Sequence, residues 1–190
     1  SLATAAAIVS AAVGTPAQAK TDIQGHSELW RAIETAGVPI FINDPKECKG
    51  NWGGGAYMTN TRSNRSILLI CQNNGEGVGE GNQVEWTAND YDTLRHEAHH
   101  IVQDCLKGTI SDGEMSRMYP EEDSHREFVT SALAREDISR IINIYGRRGS
   151  DEESILIELE AFAVASAISP SLIADAVTKL CPVRSPIGWR

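Results

Sequence analysis

His96-Glu97-Ala98-His99-His100 is the stretch of this chain whose residue types and spacing can do chemistry. Histidines four residues apart fall on one helical face, about one turn apart, and so bring two imidazoles to two of the four positions around a tetrahedral Zn²⁺. Glu97 is rotated about 100° from His96 on the helical wheel. It can reach a metal-activated water as general base without itself becoming a ligand. H-E-x-x-H on a helix is the arrangement of a zinc metallopeptidase, in which one catalytic Zn²⁺ lowers the pKa of water to roughly 7 and polarises the scissile carbonyl. His99 lies about 60° off the ligand pair, which suits a supporting or exposed residue rather than a ligand. His26 and His125 have no spacing that recommends them, although His125 remains a candidate third ligand.

A third ligand is suggested farther along. Ile155 to Ile168 is apolar on every side of a helix, and its charged residues are Glu158 and Glu160. A helix of that composition belongs in the core, where a carboxylate costs several kcal/mol unless it is paired or coordinates a metal. Zn²⁺ is one partner for such a group. An ion pair with Arg135, Arg140 or Arg147 is the other.

His96-Glu97-Ala98-His99-His100, followed far downstream by Glu158-Leu159-Glu160-Ala161, resembles the gluzincin group of metallopeptidases. Its small members are called minigluzincins. The resemblance implies an α+β, zincin-like fold: a small antiparallel or mixed sheet whose edge strand aligns extended substrate, an active-site helix, and further C-terminal helices. In several gluzincin families the ligand glutamate stands three residues before an alanine. This carries over to Glu158 before Ala161 and makes it the first choice, with Glu160 second. Those families often place Asp or Asn after the alanine, whereas this chain has Phe162, so the residue that orients the zinc histidines is not identified. A donor for the oxyanion of the transition state is also expected, with Tyr119, Tyr145 and His125 as equal candidates.

The elements that must position these groups follow from local patterns. The helix carrying the histidines is expected to begin near Asn89 or Asp90 and to run to Gly108. Leu94, Ala98, Ile101, Val102 and Cys105 recur on it at spacings of three and four, which predicts one packed stripe opposite His96 and His100 and leaves the histidines facing a cleft. Upstream, Ser27 to Glu34 predicts a short helix ending near Gly37, Val38 to Ile42 a strand, and Ala56 to Asn60 with Ser66 to Cys71 a hairpin. Downstream, Arg126 to Tyr145 predicts one long helix. A third begins at Ser150-Asp151-Glu152-Glu153, a capping box, and is closed by Pro170; Leu172 to Leu180 is the last. The glycines at 75, 77, 79 and 81 match no phosphate-binding pattern and predict a flexible surface loop, with a lid over a cleft as the lesser reading.

Cys48 precedes the hairpin's first strand and Cys71 ends its second, so Cys48–Cys71 is the natural local bridge among three possible connectivities. That leaves Cys105–Cys181. No C-x-x-C pair is present, which argues for structural crosslinks over a thiolate metal site.

Residues 1–19 carry no charge, and their Ala/Val/Ile-rich run from Leu2 to Val13 is too short to span a bilayer. With Ala17-Gln18-Ala19 behind it, the run reads as a signal peptide with cleavage before Lys20, its basic start missing; a disordered Ala-rich tail is the alternative. Residues 20–190 then form one domain, secreted or periplasmic, with no membrane insertion after cleavage. The net charge of −9 resides wholly in that domain and disfavours nucleic acid as a partner. The expected partner is a peptide or protein substrate. The expectation is a secreted zinc metalloendopeptidase, and the alternative is a secreted zinc-binding module with little or no peptidase activity.

Overall fold

A computed structural model describes residues 22–79, 81–108 and 110–181. The signal-peptide reading and the Pro182 to Arg190 tail lie outside the described residues.

Helix α1 (Ile23–Thr35) is capped by the Asp22 side chain, which accepts from the Gly25 N–H. It is longer than the sequence pattern predicts, and Gly37, at φ 84°, turns the chain out of it. The sheet has strands β1 (Ile40–Ile42), β2 (Gly55–Asn60) and β3 (Arg65–Ile70) in the order β1-β3-β2. β2 and β3 form the expected antiparallel hairpin, and β1 adds to β3 in parallel, so the sheet is mixed.

Helix α2 (Ala88–Cys105) starts at Thr87, whose side chain and that of Asp90 form a reciprocal capping box. Its predicted apolar stripe is buried against α1, the sheet and the C-terminal helix: Leu94, Ala98, Ile101 and Val102 are each at most 1% exposed. The opposite face differs from the sequence expectation. His96, Glu97, His99, His100, Gln103 and Asp104 are buried as well, so α2 runs through the interior and its histidines do not open onto a broad cleft.

What covers that face is α5 (Glu152–Ala167), the apolar helix with the two glutamates. Its cap is Asp151, accepting from the Ser154 N–H, in place of the expected Ser150. The single helix expected over Arg126 to Tyr145 is two helices, α3 (Glu122–Ala132) and α4 (Arg135–Arg147), separated by extended Leu133 and Ala134. Packing explains the break. Val129 of α3 and Ile141 of α4 both reach one small core with Leu159 and Ala163 of α5, which a straight helix could not supply. Glu136 and Asp137 then favour the new helix start. Helix α6 (Pro170–Leu180) begins at Pro170 behind the Ser169 cap, so this proline opens the last helix while α5 has already ended at Ala167.

Both expected disulfides form, Cys48–Cys71 and Cys105–Cys181. The second ties the end of α2 to the end of α6. Among the described residues no helix is long and apolar enough to cross a membrane.

Candidate metal centre

His96 and His100 project from α2 toward α5, with their Nε2 atoms 3.1 Å apart. The same carboxylate oxygen, Oε2 of Glu158, lies 3.2 Å from His96 Nε2 and 3.5 Å from His100 Nε2. It is buried and has no hydrogen-bond partner. Glu97 also borders the centre: His96, Glu97 and His100 each offer a donor atom within 4.8 Å of the others, a group that could hold a metal ion.

Hydrogen bonding fixes the chemistry of His100. The Gln103 amide nitrogen donates to Ile157 O and Glu160 Oε1, each at 3.0 Å, so its oxygen must be the atom that meets His100 Nδ1 at 2.7 Å. Nδ1 therefore carries a hydrogen, and Nε2 turns its lone pair to the centre. No such partner orients His96. Its Nδ1 is buried and unpartnered, and Phe162 packs on the ring with centroids 4.3 Å apart.

The electrostatics favour one positive charge among these atoms. Burial lowers the His100 imidazole, but the close approach of Glu158 and the Glu97 and Glu158 charges more than reverse it, to about 9. Burial likewise works against the Glu158 carboxylate, yet the close approach of the His100 and His96 imidazoles holds it far below the usual range. A proton or a metal ion can supply the charge.

Glu160, the second choice from sequence, is engaged elsewhere. It is fully buried, and its Oε1 accepts from His99 Nε2, Gln103 Nε2 and the Met118 N–H at 2.9–3.0 Å, while Oε2 accepts from the Tyr119 N–H at 3.1 Å. His99 is accordingly a buried partner of Glu160 and not an exposed residue. Among the described residues no ion pair joins an arginine to either glutamate; Arg140 pairs with Asp137.

Glu97 is placed by the sheet. The β2–β3 register leaves the Tyr57 N–H on the free edge of β2, where it donates to Glu97 Oε2 at 2.7 Å. This approach depends on Gly55: a Cβ there would lie 2.6 Å from Thr93 Cγ2, 2.8 Å from Leu69 O and 3.0 Å from Glu97 Cγ. Of the three oxyanion-donor candidates, Tyr145 is the one at the centre. Burial, then the charge of Glu158 and a hydrogen bond to it, push its phenol well above the usual range. Tyr119 packs on Phe128 beside Glu160, and His125 Nε2 bonds Leu156 O. His125 is thus committed away from the metal centre.

Sequence reasoning missed Gln103 and the Tyr57 N–H. Gln103 stands three residues after His100, on the same helical face, and that spacing is the available signal. No family model, no curated protein and no solved structure matches this chain.

Proposed function

We propose that this chain is an exported zinc metalloendopeptidase of minigluzincin-like design, in which His96, His100 and Glu158 hold the metal. The observation that carries the reading is the convergence of two imidazole Nε2 atoms and an unpartnered carboxylate oxygen within 3.1–3.5 Å of one another. Imidazole and carboxylate donors at one point suit Zn²⁺ over the harder Mg²⁺ or Ca²⁺. Residue order supports the resemblance too: mixed sheet, histidine helix, then a later helix bearing the glutamate.

When bound, the ion would polarise a peptide carbonyl and make water acidic enough to lose a proton near neutral pH. Glu97 accepts that proton and delivers it to the leaving amine; the Tyr57 N–H holds one carboxylate oxygen, which leaves the other for proton transfer. Tyr145, kept protonated by burial and by Glu158, donates a hydrogen bond to the developing oxyanion. Gln103 keeps His100 in the tautomer that can bind metal. The two disulfides accord with the oxidising compartment that an export signal would reach.

The test is hydrolysis of an unfolded protein by the zinc-loaded chain beside Glu97→Gln. Cleavage by the parent, with loss of at least 10²-fold in the variant at unchanged zinc content, is expected. No cleavage of any unfolded protein by the parent would leave a zinc-binding module as the function.

A further inference from the structure

The accessible side of the candidate metal centre lies along α5 and α4. His96 and His100 are buried, whereas Glu158 and Phe162, four residues apart on one face of α5, are half-buried. Phe162 packs on the His96 ring with centroids 4.3 Å apart, and the Tyr145 ring meets Phe162 edge-on at 6.5 Å. Arg148 follows Tyr145 by three residues at the end of α4, and its guanidinium carbon stands over the Tyr145 ring, 5.7 Å from the centroid. A continuous wall therefore leads from His96 through two rings to an exposed cation.

Arg95, Arg117, Arg126 and Arg140 each pair with a carboxylate, but among the described residues none pairs with Arg148. The helix dipole does not require it either, since Arg147 in the last turn of α4 already complements the negative end. A guanidinium carries five N–H donors in its own plane, so holding its body over a ring leaves those donors for another partner. The partner that fits the fork is a carboxylate, met by two parallel hydrogen bonds. Support from the ring also reduces the ordering that such a contact would otherwise cost.

We infer that Arg148 is a specificity residue that receives a carboxylate of the substrate, so that the centre selects peptides with an acidic group near the cut. The inference rests on the peptidase reading above. An extended peptide advances about 3.3–3.6 Å per residue, so a carboxylate within roughly four residues of the scissile bond can span the wall of rings to Arg148. The chain's net charge of −9 offers an acidic peptide no long-range attraction. A preference for acid must therefore come from a local cation, and Arg148 is placed to supply it.

The test is a series of fluorogenic peptides that carry Glu, Gln or Lys at each position around the cut, with the C-terminus amidated or free, given to the zinc-loaded chain. At one position Glu should give roughly tenfold higher kcat/KM than Gln, mostly through KM. Arg148→Ala should remove that preference, Arg148→Lys should retain it, and Arg148→Glu should turn it toward Lys. A preference that follows the free C-terminus instead identifies the chain-end carboxylate as the group Arg148 receives, provided that Arg148→Ala removes it. Equal cleavage of the Glu, Gln and Lys peptides, or a Glu preference that survives Arg148→Glu, would overturn the proposal and leave the peptidase reading intact. The same peptides are also bound to zinc-loaded Glu97→Gln and followed by fluorescence anisotropy, which needs no turnover. If the parent cleaves none of them, the peptidase reading falls and anisotropy decides the contact: tighter binding of Glu peptides that Arg148→Ala abolishes supports it, and equal binding refutes it.

Discussion

Gln103 and His100 form a 2.7 Å contact that settles which imidazole nitrogen faces the candidate metal centre. The amide's two hydrogens are spent on Ile157 O and Glu160, so one residue links the histidine helix, the glutamate helix and the tautomer of His100.

Gln103→Leu removes that orientation at similar volume. Zinc affinity, measured by competition with a chromogenic chelator, should fall roughly 10–100-fold. An unchanged affinity would mean that His100 is oriented by packing alone.

Glu158 and Glu160 should separate by phenotype. Glu160→Ala strips an acceptor from His99, Gln103 and two backbone N–H groups, at a cost of about 3–5 kcal/mol in chemical denaturation. Glu158→Ala, partly solvent-accessible and lacking such bonds, should cost far less stability and instead abolish tight zinc binding.

Gly55→Ala should damage activity more than folding. The added methyl presses on Thr93, Leu69 O and Glu97, and it moves β2 away from the carboxylate that Tyr57 holds. A drop of at least tenfold in kcat, with zinc content unchanged, is expected.

Acid should destabilise the fold through buried histidine. His26 is packed in the core with its Nε2 2.7 Å from Arg95 Nη1 and its Nδ1 on Asp22 O. Burial lowers its pKa, and Arg95 adds to this. The unfolded chain therefore binds the proton more readily. Stability from this residue is full above about pH 6.5 and declines as pH falls below that toward the depressed folded value. Denaturation curves at pH 7.5 and 5.5 should show the loss, and His26→Gln should make the dependence shallower; an identical slope would contradict the assignment.

Much of this site is legible in the sequence, because its parts are local. The i, i+4 histidines, the helix start near Asn89 or Asp90, and the apolar helix with two glutamates are patterns within single elements. The cysteine pairing follows from the positions of Cys48 and Cys71 around one hairpin. What the sequence did not show depends on contacts between distant segments. A wheel drawn on α2 cannot reveal that α5 covers its polar face, which is why the histidines are buried and not displayed. Likewise, Leu133 and Ala134 carry no breaker signal; the helix ends there because Val129 and Ile141 must both meet Leu159 and Ala163. Glu158 is separated from Glu160 by the side of α5 each occupies. Glu158 points to His96 and His100, and Glu160 to His99 and the 118–119 backbone.

The central claim is that His96, His100 and Glu158 hold one zinc ion, and metal content of the purified chain tests it most directly. Elemental analysis should give about one zinc per parent chain, near zero for His96→Ala and Glu158→Ala, and zinc retained by whatever Glu160→Ala protein stays folded. Zinc retained by Glu158→Ala and lost from folded Glu160→Ala would contradict the account.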